Sequence, residues 1–179
     1  MAKMTNRRQA KERSPFVVTF KMKSRTLFIP RIKVPSMHML DARKGCQELG
    51  GDIAEDLSWE EMNAITAIEC LKFGRYGYHY WLGAQLHGHE DFHGSVIQKD
   101  WDWDWINGGV LRGDDERWYP GESGRRGPGR CMTLGYDKKL GTSYFDNSEC
   151  VKAHYAICHC HDESCLLRDT RAECEHLWR

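Results

Sequence analysis

The chain has 179 residues, with 26 basic and 26 acidic side chains, 40% hydrophobic content, 17 glycines, 7 tryptophans and 8 cysteines. That length suits one domain with tails, and the apolar and aromatic content excludes collagen-like, low-complexity and wholly disordered chains. No apolar run approaches the roughly 20 residues that cross a bilayer, so neither a membrane span nor a secretory signal segment is read.

The zero net charge conceals a split. Residues 1–35 carry ten Lys or Arg and one acid, Glu12, which leaves 16 basic and 25 acidic side chains for the rest: a +9 leader on a −9 body. Clustered cations suit a polyanion, yet no groove-reading motif or aromatic interleaving accompanies them, so a solvated, loosely attached arm is expected and nucleic acid is not. Deleting residues 1–13 is expected to leave stability nearly unchanged. Phe16–Phe20 and Leu27-Phe28-Ile29 have strand propensity and offer an added edge to a sheet instead.

A first helix is predicted from Met39, Ala42, Cys46 and Leu49, spaced by three or four and stopped by Gly50-Gly51. A second starts at Ser58, where Glu61 completes a capping box and Met62, Ile65, Ile68 and Leu71 form the buried stripe; Cys70 falls off that stripe and should face solvent or a tail.

Beyond Gly77 the pattern changes to short apolar runs split by glycine-rich turns, the signature of strands and loops. Tyr80, Leu82 and Ala84 alternate with His79, Trp81 and Gly83. Trp101, Trp103 and Trp105 alternate with Asp102 and Asp104, which predicts one packed tryptophan face with the aspartates opposite. From Gly108 to Gly129 apolar content is low and glycines and prolines recur, a long loop of the kind that commonly carries function.

The eight cysteines, at 46, 70, 131, 150, 158, 160, 165 and 174, favour an oxidised extracellular framework, although sequence alone leaves their pairing open. Zinc at Cys158-His159-Cys160-His161 is disfavoured, because successive residues of a strand point to opposite faces and cannot all reach one ion. His87, His89 and His93 also lack a metal spacing and are expected to be loop histidines.

Together these residues resemble a C-type lectin-like domain. The resemblance is carried by Ala42-Arg43-Lys44-Gly45-Cys46-Gln47-Glu48-Leu49-Gly50-Gly51-Asp52-Ile53-Ala54, by Ser58-x-x-Glu61 and by Trp81-Leu82-Gly83-Ala84. Trp103-x-Trp105-x-x-Gly108, Trp118-Tyr119-Pro120-Gly121-Glu122, Cys131, Cys150 and Ala156-Ile157-Cys158 continue it. It implies an α+β fold with two helices, two small antiparallel sheets and a long ligand-binding loop over residues 36–160, flanked by the 1–35 leader and a short cysteine-containing tail at 161–179. It also implies core disulfides Cys46–Cys158 and Cys131–Cys150, leaving Cys70, Cys160, Cys165 and Cys174 for accessory or intermolecular bridges that could support an oligomer.

Sugar binding in that family usually runs through calcium held by a Glu-Pro-Asn or Gln-Pro-Asp loop motif and a Trp-Asn-Asp strand motif. Here they read Glu122-Ser123-Gly124 and Phe145-Asp146-Asn147, and the acid commonly found two residues before the third core cysteine is Gly129. Glu122, Asp146 and Asn147 are thus the surviving candidate calcium ligands, too few for strong binding. Asp114, Asp115 and Glu116 offer supplementary oxygens, with a solvated acidic turn the preferred account.

The implied function is an extracellular, secreted recognition module that binds a glycan or glycoprotein through Glu122, Asp146, Asn147, Trp118 and Tyr119, with weak or absent calcium dependence. For Trp118 a buried, loop-supporting role is preferred over an exposed aromatic face. The alternative is a lectin-like domain adapted to protein binding or matrix assembly. No nucleophile or paired-carboxylate constellation points to an enzyme.

Overall fold

The computed structural model describes residues 16–30, 39–67, 79–86, 89–90, 96–97, 102–120 and 129–161. Ile68, Leu71, Cys70, Trp101, His87, His93, Glu122, Cys165 and Cys174 lie outside these residues, as do residues 1–13.

Helix α1, Met39–Glu48, buries Met39, Ala42 and Cys46, the predicted stripe. It ends as the sequence requires. Gly50 takes φ 84°, the Gly50 amide donates to the Gln47 carbonyl and the Gly51 amide to that of Cys46, the double bond of a Schellman stop. Helix α2, Trp59–Thr66, starts at Ser58 with both halves of the capping box formed and buries Met62 and Ile65.

Twelve strands are described. β1 (Phe16–Lys21), β2 (Thr26–Pro30), β3 (Asp52–Ile53) and β12 (Cys158–Cys160) form one sheet in the order β1-β2-β12-β3. A larger sheet runs β10-β9-β4-β7-β8, from β10 (Thr142–Ser148), β9 (Cys131–Asp137), β4 (Tyr80–Leu86), β7 (Trp103–Trp105) and β8 (Val110–Leu111). β11 (Tyr155–Ala156) joins β4 in parallel, and β5 (His89–Glu90) pairs with β6 (Val96–Ile97) as a separate ribbon. The expectation of two small antiparallel sheets is therefore met in outline, with one parallel pairing and a third ribbon added.

Strand β4 separates two apolar clusters. Tyr80, Leu82 and Ala84 pack with Met62 and Ile65 of α2, and with Trp103, Trp118 and Phe145. Trp81 packs with Met39, Ala42 and Cys46 of α1 on the other side. Both faces of the strand are thereby covered from Tyr80 to Ala84, which is why this run of alternating character is buried on both sides.

The leader is corrected in part. From Phe16 to Pro30 it is a hairpin within the first sheet, where Phe28 pairs with Cys158, and Leu27, Phe28 and Ile29 are fully buried. Arg25 at the hairpin turn donates to both oxygens of Glu61, at 2.6 and 2.7 Å, and thus joins the capping box of α2. The added-edge alternative holds for this segment, because its apolar strand covers core that would otherwise face water.

Both implied core disulfides are formed, with Cα separations of 5.5 Å for Cys46–Cys158 and 5.2 Å for Cys131–Cys150. Closing loops of 112 and 19 residues removes about 4.7 and about 3 kcal/mol of unfolded-chain entropy in the chain-entropy model. Cys160 is also disulfide-bonded, and no described cysteine is free. With Cys158 and Cys160 both consumed and both buried on the α1 side, the Cys-His-Cys-His run has no thiol to offer a metal.

Candidate functional site

The long loop is more structured than its composition suggests. β8 pairs with β7, and residues 117–119 run beside β10, where the Phe145 amide donates to the Arg117 carbonyl at 2.7 Å and the Tyr119 amide to the Phe145 carbonyl at 3.1 Å. This backbone seam turns Trp118 inward. Trp118 is 5% exposed, its indole N–H donates to the Arg112 carbonyl at 3.1 Å, and its ring lies 5.1 Å from Trp103 and 6.1 Å from Phe145. It supports the loop and has no free face for a ligand.

The acidic turn before it is bonded internally. Arg117 grips both oxygens of Asp115 at 2.8 and 2.9 Å, donates to Asp56 at 2.7 Å and to the Leu57 carbonyl, and sits 5.0 Å above the Phe145 ring. These bonds raise the Arg117 pKa and hold the Asp115 carboxyl below its ordinary range. Asp114 is paired with Arg112, and Glu116 accepts from the Trp59 indole at 3.0 Å.

Tyr119 takes the opposite course. Its hydroxyl donates to Asp137 at 2.8 Å, and its ring meets Tyr144 edge-on with centroids 4.5 Å apart. Tyr144 in turn lies against Gly135, the residue opposite it on β9; a Cβ there would stand 2.9 Å from the ring. Only glycine allows the ring to lie flat on the strand. The two tyrosines form one corner of an open cavity of about 460 Å³ that Tyr136, Asp137, Lys138, Lys139 and Asp146 complete.

Asp146 shares the Tyr144 face of β10 by strand alternation, opposite Thr133. One carboxylate oxygen accepts the Asn147 amide at 2.8 Å, and the other stands 3.8 Å from His79 Nδ1, which is also 3.0 Å from the Thr133 hydroxyl. Behind His79 lies His154, with ring centroids 5.6 Å apart, hydrogen-bonded to Ser148 at 2.9 Å and edge-on to Trp81. Burial, and then the charges of His79 and Lys152, push His154 down to about 4; burial also lowers His79 against the pull of Asp146.

These placements test calcium. Asp146 and Asn147 are successive residues in regular register with Thr133 and Met132, so they project from opposite faces of the strand. Gly129 has no room for an acid: a Cβ there would stand 2.4 Å from the backbone of Ser148. No group of three metal-ligating His, Cys, Asp or Glu side chains occurs among the described residues. The described residues alone do not assemble the six to eight oxygens of a calcium shell.

Of the predicted residues, then, the structure brings Tyr119 and Asp146 to one cavity, turns Trp118 into the core and directs Asn147 away. Tyr136, Asp137, Lys138, Lys139 and Tyr144 were missed by sequence reasoning. Their available signal was the turn Asp137-Lys138-Lys139-Leu140-Gly141 between two alternating runs, with Tyr144 two residues before Asp146.

Two helices packed on opposite sides of a disulfide-tied sheet, with a long loop seamed to its edge strand, define a lectin-like recognition fold. The Lectin C-type domain family matches residues 35–160, and the chain belongs to that family. Solved structures agree on the fold. The C-type lectin domain of murine dendritic cell inhibitory receptor 2, in complex with N-glycan, aligns with TM-score 0.57 and 16% identity over 80% of this chain and 96% of that one. Human lithostathine aligns with TM-score 0.56 and 18% identity, covering 80% and 97%. A calcium-independent type II antifreeze protein aligns with TM-score 0.51 and 20% identity, covering 82% and 95%. No curated protein matches the chain significantly.

Proposed function

We propose that this chain is an extracellular, non-enzymatic recognition module that binds glycans without calcium, on the hairpin side of its long-loop face. The observation that carries this reading is the cavity cornered by Tyr119 and Tyr144. Perpendicular aromatic walls beside hydroxyl, carboxylate and ammonium groups are what a pyranose ring uses, since its C–H faces stack and its hydroxyls hydrogen-bond. Asp146 contributes from the floor of the same face, and Glu122 follows Tyr119 closely in the chain. The N-glycan complex of one relative and the calcium independence of another are in keeping with it. The disulfide framework supports secretion into an oxidising compartment.

Calorimetry with a panel of oligosaccharides, with and without a chelator, tests this directly. Binding that survives the chelator and weakens about ten-fold or more in Tyr144→Ala is expected. Chelator-sensitive binding would overturn the calcium claim. Capture of no glycan would favour the protein-binding alternative, since one scaffold hosts many kinds of partner.

A further inference from the structure

We propose that Gly135 is a positioning residue for the glycan corner: by carrying no side chain it lets the Tyr144 ring lie low on β9, and so sets the width of the cavity that receives the sugar ring. This rests on the glycan reading above and adds a residue that shapes its site. Gly135 lies inside the seven-residue strand β9, buried, and the register with β10 runs unbroken past its partner Tyr144. Its backbone gives no reason for a glycine, because the left-handed region is entered, among the described glycines, only by Gly50, Gly108, Gly109 and Gly141. An alanine would suit that backbone better, since a glycine inside a strand weakens it and commonly marks a close approach by another group.

The group that approaches is one side chain. A Cβ at Gly135 would stand 2.9 Å from both Cε2 and Cζ of Tyr144 and 3.0 Å from its hydroxyl oxygen, so the phenol end lies over the bare strand. The other tight glycines differ. At Gly51 and Gly129 the added carbon meets backbone at 2.4 Å, and at Gly83 it meets the side chains of Ile53 and Glu55 at 2.8 and 3.0 Å. Those glycines serve packing, whereas at Gly135 the collision falls on the far end of a flexible side chain, which yields while the backbone stays. Tyr144 would then lift off β9 into the cavity it lines and against Tyr119, whose ring it now meets edge-on with centroids 4.5 Å apart. A pyranose needs that gap to lay its C–H face on a ring. A methyl group behind the ring therefore narrows the cavity without touching the ligand.

The test compares the full chain with Gly135→Ala, Tyr144→Ala and the double variant, by thermal unfolding, by NMR of isotope-labelled tyrosines and by titration with chitotetraose, mannotetraose and lacto-N-tetraose. Gly135→Ala is expected to keep the thermal midpoint, to move the ring resonances of Tyr144 and Tyr119, and to weaken binding about ten-fold or more. Because Gly135 acts through Tyr144, its substitution should cost nothing further once the ring is gone, so the double variant should bind as Tyr144→Ala does alone. Gly129→Ala, whose collision is with backbone, is the control for damage to the fold. A Gly135→Ala midpoint that falls as far as that control's, binding equal to the native chain's, or an added loss in the double variant would each overturn the assignment and leave the glycan reading standing. An aromatic ring over a cross-strand glycine also shields a strand. If that were its whole use, Tyr144→Ala would lower the midpoint and leave binding untouched, which would overturn the assignment and the tyrosine corner together. If none of the three sugars binds the native chain, the glycan reading falls and the assignment with it.

Discussion

The acidic turn before Trp118 and the hairpin between β9 and β10 are both short, charged and glycine-bounded, yet their charges are used in opposite ways. In the turn, Asp114, Asp115 and Glu116 each have a partner within the protein, and Arg117 spans from Asp115 to Asp56 across to the segment before α2. In the hairpin, Asp137 caps the turn and holds the Tyr119 hydroxyl, and Lys138, Lys139 and the tyrosine corner line the cavity rim. The lesson is that in a carboxylate-rich loop, arginines of the same loop can take up the carboxylates as structural partners. Local ion pairing in the acidic turn fixes backbone, whereas the hairpin gathers aromatic and polar side chains around an open cavity.

The contrast breaks most directly at Trp118, which should behave as core although it lies in the loop. Trp118→Ala is expected to cost about 3–5 kcal/mol in chemical denaturation, the range for emptying a large buried aromatic site. A loss below about 1 kcal/mol would return the residue to the ligand surface.

Gly129, at the root of the hairpin, comes next. Its Cβ would meet Ser148 backbone at 2.4 Å, so Gly129→Ala should cost about 1–3 kcal/mol by overpacking. Gly129→Asp should be destabilised too and gain no calcium affinity by calorimetry. Calcium binding restored by that aspartate would show that the hairpin root yields easily and that the strand retains a usable ligand geometry.

Much of the fold was legible because its signals are local. The α1 stripe, its glycine stop and the Ser58 capping box all lie within one or two helical turns, and the structure forms each of them. What was not legible depends on distant partners. Leu27-Phe28-Ile29 reads as a strand, but its burial follows from pairing with β12, as in the contact of Arg25 with His159 across 134 positions. The core disulfides required the family resemblance, since eight cysteines permit many pairings. At the candidate cavity, Tyr119 and Asp146 are residues the sequence singles out, whereas Tyr144 is not, because its place beside Tyr119 depends on the seam between residues 117–119 and β10. The register of β10 likewise separates Asp146 from Asn147, a distinction that a three-residue motif does not carry.

Acid should weaken the face beneath the hairpin before it reaches the acidic turn. His154 beneath the hairpin, and His159 on β12 beside Arg25, are each pushed from 6.5 down to about 4, chiefly by burial. The unfolded chain therefore binds more protons than the folded one between those values, and stability rises with pH across that window. The thermal midpoint should be highest above about pH 6.5, fall progressively toward pH 4, and gain no further slope from these histidines below it. Asp115 and Glu61, both held below their ordinary values, add their loss in the acid range beneath that. Replacing His154 by Gln should flatten the upper part of the decline. An unchanged slope would mean that Ser148, His79, Trp81 and Lys152 do not bury the imidazole as described.

The smallest effect sharpens the contrast inside the turn itself. Asp114 and Asp115 are neighbours, and each bonds an arginine two positions away, but the environments of the pairs differ. The Arg112 and Asp114 side chains are 77% and 52% exposed, whereas those of Arg117 and Asp115 are 16% and 23% exposed. Water screens the first pair, so Asp114→Asn should leave the thermal midpoint within experimental error. Asp115→Asn removes the bidentate acceptor of a half-enclosed guanidinium that also holds Asp56 and the Leu57 carbonyl, and should cost about 1–2 kcal/mol. Neither change should alter glycan binding at the hairpin. Loss of binding in Asp114→Asn with stability intact would place the ligand on the acidic turn, and so reverse the division of labour between the two regions.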